Sequence, residues 1–244
     1  MASDSPTGGG HFVTTHWSAV LAAGRADSTA ARQALEELCR TYWPPLHAYV
    51  RRRGYSPDAA ADLTQGFFTR LIASGDLAQV DPAKGRFRSF LLASMKHFLA
   101  NDWDRTQAQV RGGGALHVPL DPASSNGGAG LDPVDTLTPE KVFERQWALT
   151  LLNMVLEQLQ GEYAADGKAA LFDALKGSLT GERPSAHYAR IGIDLGLSEG
   201  AVKVAAHRLR TRYRERLRQA IARTVASDEE IDEEIRYLFA AFAP

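Results

Sequence analysis

The sequence predicts an all-α fold of two small helical domains joined by a flexible linker. Apolar residues recur at three- and four-residue steps along most of the chain, which sets them on one face of a helix. No stretch alternates polar and apolar residues as a half-buried strand does. From about residue 110 to residue 138 the helical period stops, and Gly112-Gly113-Gly114, Asp121-Pro122 and Ser124-Ser125-Asn126-Gly127-Gly128 take its place. A connection of about 30 residues is longer than loops inside one domain usually are, so it reads as a linker.

Bulk composition narrows the class of protein. The 244 residues give room for one large or two small domains, and 44% hydrophobic with 23% charged is ordinary for a soluble chain. A net charge of −1 excludes a wholesale polycation. Positive charge is local instead, while Asp228, Glu229, Glu230, Asp232, Glu233 and Glu234 gather near the C-terminus. The single cysteine, Cys39, excludes an internal disulfide and a cysteine-based zinc site. His11 and His16 have no carboxylate or cysteine company and read as packing or surface residues. No apolar run approaches the roughly 18 residues of a membrane span, and no signal-peptide core is present. A cytoplasmic protein is expected.

Residues 1–27 form an N-terminal extension, glycine-rich through Gly10 and read as disordered there, with bulky side chains from Phe12 to Trp17. The first domain spans 28–109. Ser28 caps a helix with Ala31, Leu35, Leu38 and Tyr42 on its apolar face; Pro44-Pro45 is expected to interrupt it before Leu46 to Arg53 resumes. Ser56-Pro57-Asp58 is a strong start signal for a helix to Ala73, because it joins a cap, a proline in the first turn and an acid at the positive dipole end. Ala60, Leu63, Phe67 and Leu71 share one side of it; Asp58, Asp62, Gln65 and Arg70 lie elsewhere. After an Asp76 to Gly85 loop, Arg86-Phe87-Arg88-Ser89 opens a third helix. It carries Phe90, Leu91, Met95 and Phe98 on its apolar face and Lys96, His97, Asn101 and Arg105 among its polar positions. Cations interleaved with rings suit single-stranded DNA, with Trp103 and Phe87 the rings that would stack on bases.

Residues 110–138 are the linker, and 139–225 the second domain. The linker's glycine triplet is no phosphate loop, because no Gly-Lys-Ser/Thr follows it. Thr138-Pro139-Glu140 restarts helix with the stripe Phe143, Trp147, Leu151, Val155 and Leu159, and Lys168 to Leu179 reads as a further helix. From Ser185 a helix-turn-helix follows. Ile191, Leu195 and Leu197 anchor its first part, Gly192 is small where the helices would cross, and Ser198 caps the second helix. On that helix Val202, Ala206, Leu209, Tyr213, Leu217 and Ile221 make a buried stripe, flanked by Lys203, His207, Arg208, Arg210, Arg212, Arg214, Arg216 and Arg218. Basic flanks beside an apolar stripe suit a helix lying between two phosphate backbones of a major groove. Residues 226–244 form an acidic C-terminal helix, with Ile231, Ile235, Leu238 and Phe239 as its apolar positions. It would either fold back over the basic recognition helix or complete the second bundle's core.

Three segments in this order resemble bacterial RNA polymerase sigma factors of the extracytoplasmic-function group. Asp62-Leu63-Thr64-Gln65-Gly66-Phe67-Phe68-Thr69-Arg70-Leu71 resembles their clamp-binding helix, and Arg86-Phe87-Arg88-Ser89-Phe90-Leu91 their promoter-melting segment. The stretch from Leu197 to Arg210 is similar to their minus-thirty-five recognition helix. The resemblance implies two sigma domains, regions 2 and 4, that bind core RNA polymerase at its clamp and flap and recognise promoter DNA without catalysis. By position it sets Asp58, Asp62 and Gln65 against the clamp. It places the Asp81 to Arg88 segment, with Arg86 and Arg88, around an extruded base, and Lys96, His97, Asn101 and Arg105 along the opened strand. Ser198, Val204, His207 and Arg208 would approach minus-thirty-five base edges, with Lys203, Arg210 and Arg212 on phosphates.

This sequence departs from the family pattern in three ways. Gly66 stands where glutamate is common, removing one clamp-facing charge; Arg190 replaces an acid; and Gly161 to Pro184 is longer than usual. An anti-sigma factor or a serine/threonine kinase acting at Thr14 or Thr15 would be the regulatory partner.

The rival reading is a helix-turn-helix regulator binding duplex DNA as a homodimer, which leaves the first domain without a role. No nucleophile–base pair, metal cluster or nucleotide fingerprint stands out, so neither an enzyme nor a cofactor is expected.

Overall fold

The computed structural model describes residues 29–74, 86–110, 137–179, 181, 184–225 and 227–243. The N-terminal extension with Thr14 and Thr15, the Asp76 to Gly85 loop and nearly all of the linker lie outside the described residues. What is described is helical throughout. In chain order α1 is Thr29–Arg52, α2 Pro57–Ala73, α3 Phe87–Val110, α4 Pro139–Ala165, α5 Ala169–Leu175, α6 Ser185–Leu195, α7 Glu199–Ala222 and α8 Ile231–Ala240. Short 3₁₀ turns at Lys176–Ser178 and Asp228–Glu230 extend α5 and lead into α8. Among the described residues no helix is long and apolar enough to cross a membrane.

Helix α4 lies at the centre. Thr138 begins it by accepting a hydrogen bond from the Lys141 amide at 3.2 Å, with Pro139 in the first turn and Glu140 at the positive end of the dipole. Its expected stripe of Phe143, Trp147, Leu151, Val155 and Leu159 is buried, and Ala148 and Tyr163 add to it. Helices α1, α5, α7 and α8 all pack on α4, with α1 making the longest contact. Burying each large apolar side chain here contributes roughly 1.5–3 kcal/mol against exposure. Helices α2 and α3 pack on α1 and on each other through rings. Phe67 meets Phe98 edge-on at 5.8 Å, Trp43 stacks on Phe68 at 5.9 Å, and Tyr42 meets Phe87 edge-on at 5.4 Å. Buried side chains from Leu38 to Leu238 form one continuous cluster, so the segments before and after the linker are joined by packing.

Two elements differ from expectation. Pro44-Pro45 does not interrupt α1, which runs unbroken through the pair. Each proline removes a backbone donor and costs a helix interior about 3 kcal/mol. Leu38 and Tyr42 before the pair and Leu46, Tyr49 and Val50 after it are all buried, so one packed face spans it and outweighs that cost. The helix expected from Lys168 to Leu179 is the short α5, which tightens into the 3₁₀ turn.

The helix-turn-helix has the anticipated local chemistry. Gly196 closes α6 in the left-handed region at φ 66°, where only glycine is free of strain, and the Leu197 amide donates back to the Gly192 carbonyl at 2.8 Å. Ser198 accepts from the Ala201 amide at 3.2 Å and starts α7. The crossing is close: a Cβ on Gly192 would lie 2.6 Å from the Leu197 carbonyl oxygen, which is backbone and cannot swing away. Gly192→Ala is therefore expected to lose about 1–3 kcal/mol in thermal or urea unfolding. Gly200→Ala, with nothing within 4 Å of the added methyl, should gain up to about 1 kcal/mol in the same assay.

Candidate nucleic-acid interface

The apolar stripe of α7 turns inward as its spacing requires: Val202, Ala206, Leu209, Leu217 and Ile221 are buried, and Tyr213 is half-buried. Tyr213 reaches the Leu152 carbonyl at 3.4 Å, and burial pushes its phenol up to about 12. The opposite face is open. Lys203, Val204, His207, Arg208 and Arg212 are exposed, and Val204 is an apolar side chain left half in solvent. His207, Arg208 and Arg212 line a cleft of about 780 Å³ between α7 and the side chains of Tyr163 on α4, Leu171 on α5 and Lys168 just before α5. Lys168, Arg208 and Arg212 put positive charge on an open cleft whose walls, with Tyr163, Leu171, Val204 and Ala205, are largely apolar.

The basic residues of α7 are not equivalent. Lys203 bridges Glu199 at 2.6 Å and donates to Ser185 at 3.1 Å, so its charge is partly neutralised within the first turn. Arg210 donates to the Tyr188 hydroxyl at 3.0 Å and ties α7 to α6. Arg212 lies 5.8 Å over the Tyr163 ring and 3.9 Å from Glu162. These three are tied into the fold, whereas His207 and Arg208 are exposed.

On α2, Asp58, Asp62 and Gln65 are exposed at four- and three-residue steps, one solvent face opposite the buried Ala60, Thr64, Phe67, Phe68 and Leu71. Gly66 is not on that face. A Cβ there would sit 3.5 Å from the Phe98 ring, so the position looks toward α3. Its missing carboxylate is lost from the α2–α3 seam.

Helix α3 splits the residues expected on DNA. His97, Asn101 and Arg105 are exposed, and His97 and Asn101 join Arg70, Phe67, Phe90 and Phe98 around a hollow of about 220 Å³. A ring floor with a polar rim has the chemistry that holds an unstacked base. Trp103 is 36% exposed, while Phe87 is fully buried and serves the core, so only Trp103 keeps a face for stacking. Lys96 instead bridges Glu140 at 2.8 Å; the carboxylate raises the ammonium's pKa and is itself lowered by it.

Arg86 and Arg88, expected around an extruded base, are engaged elsewhere in this arrangement. Arg88 is 2% exposed. Its Nε lies 3.0 Å from Glu144 on α4, its Nη1 contacts Glu234 on α8, and its guanidinium faces the rings of Trp147 at 4.5 Å and Tyr237 at 4.2 Å. Arg86 pairs with Glu233 at 2.9 Å and Glu234 at 3.0 Å. Burial lowers the pKa of Arg88 and raises that of Glu144, with the partner's charge opposing each shift.

The chain matches no family model, no curated protein and no solved structure. Its site therefore stands on geometry alone. Among the described residues no group of three or more His, Cys, Asp or Glu side chains could hold a metal ion.

The acidic helix α8 does not lie over Lys203, His207 and Arg208 of α7. It touches α7 through Asp232, which pairs with Arg218 far from Arg208, and it completes the core with Ile231 and Leu238. The sequence analysis did not single out Glu234, which is buried at 0% exposure although Asp228, Glu229, Asp232 and Glu233 around it are exposed. Its register was the available signal: Ile231, Glu234, Ile235 and Leu238 share one face of a helix. Removing one partner from a buried pair leaves an uncompensated charge, so Arg88→Met should cost about 3–5 kcal/mol in urea unfolding. Lys96→Ala, which breaks an exposed pair, should cost less than about 1 kcal/mol in the same titration.

Proposed function

We propose that this chain is a sigma factor of the extracytoplasmic-function kind, which binds core RNA polymerase and directs it to promoters without catalysing a reaction. The observation that carries the reading is the helix-turn-helix with Val204, His207 and Arg208 turned outward beside a cationic cleft. Two further features support it. Asp58, Asp62 and Gln65 offer one acidic, solvent-facing strip on α2, suited to the basic surface of a polymerase clamp. His97 and Asn101 rim a ring-floored hollow on α3 that could take an unpaired base of the opened strand. In this reading α1 to α3 form region 2, α4 to α7 form region 4, and the flap contacts the latter. An anti-sigma factor or a serine/threonine kinase would be the regulatory partner, and the cytoplasm the compartment.

The decisive experiment is run-off transcription with core polymerase, with and without this protein, on the DNA upstream of its own coding sequence. A promoter-specific transcript that requires the protein is expected. Tight binding of the free protein to an intact palindromic duplex, with no polymerase-dependent transcript, would favour the homodimeric regulator instead.

Residue-level outcomes follow from the geometry. Arg208→Ala should cost roughly 1–3 kcal/mol of discrimination between promoter sequences, as the loss of a bidentate contact to guanine does. Lys203→Ala should weaken binding to all sequences alike and reduce the salt slope by about 1, which a salt titration of the holoenzyme reads. Asp62→Arg should keep its helical circular dichroism and lose core polymerase in a pull-down, because like charges across an interface cost several kcal/mol.

A further inference from the structure

Helices α1, α4 and α7 meet around a groove of about 580 Å³. Its floor is Leu151, Met154 and Val155 of α4 with Ala220 of α7, and its α1 wall runs from Gln33 to Thr41. Thr41 adds little polarity, because its hydroxyl donates to the Glu37 carbonyl at 2.8 Å and to the Met154 sulfur at 3.6 Å. The arginines of the rim are already matched. Arg40 pairs with Glu157 at 2.5 Å, Arg216 with Glu162 at 2.9 Å, and Arg223 with Glu37. A slot with an apolar floor and a paired rim favours an uncharged, apolar occupant, since an anion brought there would find each arginine taken.

The chain carries such a segment close to the mouth of the groove. The residues before Thr29 lie outside the described ones, and from Ser5 to Gly24 the sequence has no Asp, Glu, Lys or Arg. Within that run Val13, Trp17, Val20 and Leu21 stand at i, i+4, i+7 and i+8, the spacing of one apolar helical stripe. Position and reach agree with the groove. Thr29 starts α1 one turn before Gln33, where the wall begins. The stretch from Leu21 to Thr29 can span up to about 27 Å, whereas Thr41, at the far end of the wall, is about 18 Å from Thr29 along the helix. Stripe and wall are also of one length, about 12 Å each from Val13 to Leu21 and from Gln33 to Thr41.

We propose that the segment from Val13 to Leu21 docks in cis in this groove, with Trp17 on the floor of Leu151, Met154, Val155 and Ala220. Helix α1 precedes the linker and α4 and α7 follow it, so the docked segment clasps the two parts of the chain together. This goes beyond the sigma reading and depends on no part of it.

The test is made on the full chain. Trp17 shares it with Trp43, Trp103 and Trp147, so its emission is read as the difference between wild type and Trp17→Phe. That difference should lie to the blue of an indole in water and should not change on dilution. Ala220→Glu sets a carboxylate on the floor of the groove. It keeps a good helix former in place, and Arg216 and Arg223, four and three residues away, can pair with the new charge. Helical circular dichroism should persist, and the Trp17 difference should move to that of an indole in water. In Trp17→Ala the amides of residues 33–41 and 216–223 should exchange several-fold faster than in wild type, while those of 57–73 keep their rates. This measurement decides the matter if Ala220→Glu fails to fold. A water-like Trp17 in the wild type overturns the proposal, as do unmoved amides at 33–41 and 216–223 in Trp17→Ala. So does a blue Trp17 that survives in folded Ala220→Glu, which means docking elsewhere. A blue signal that fades on dilution overturns it too, and puts the segment in the groove of a second copy.

Discussion

The burial of α4 is the constraint on which the rest of the molecule depends. A surface helix hides one stripe, but α4 has partners on several sides and accordingly carries large apolar residues at positions that no single stripe would hold. Its 27 residues span about 40 Å, enough for α1 to lie along it while α5, α7 and α8 take other faces. Trp147 marks the centre of this arrangement. It is fully buried and offers its ring to Arg88, so a large core side chain also receives a buried charge. Helix α7 is held from behind by the same helix, through Tyr213 and through Arg216 pairing with Glu162 at 2.9 Å. In the proposed reading such backing is needed, because side chains on a loose helix would lose the register that base edges demand.

Much of this was legible in the residues. Every position of the α7 stripe from Val202 to Ile221 is buried or half-buried, and the Ser56, Thr138 and Ser198 caps each make the hydrogen bond their spacing implies. Local chemistry is readable because capping and helical period depend on neighbours three or four residues away. The open face of α7 was readable for the complementary reason: charged residues stay in water unless something distant recruits them.

What escaped the sequence depends on partners far along the chain. Nothing within a few residues of Arg88 indicates that Glu144 and Glu234 will surround it, so a residue expected at a ligand site is found in the interior. Pro44-Pro45 is the same lesson in reverse, since its local preference to break a helix yields to packing supplied on both sides. Gly66 looked like a lost surface charge and lies at the seam beneath Phe98. In each case the deciding contact is tertiary, and helical period cannot distinguish a face that meets water from one that meets another helix.

The reliance of α1 on α4 also fixes an order of events during synthesis. Arg40 pairs with Glu157 across 117 positions of chain, and Thr41 meets Met154 across 113. Contacts of such separation close a large loop before they return any stabilisation, and folds dominated by them form slowly. The helix-turn-helix, by contrast, is assembled from neighbours and needs no distant help to meet its own turn. While the chain emerges from the ribosome, the face of α1 that includes Thr41 therefore has no cover until α4 follows. The N-terminal half is made first and sealed late, so nascent α1 waits with an apolar face uncovered.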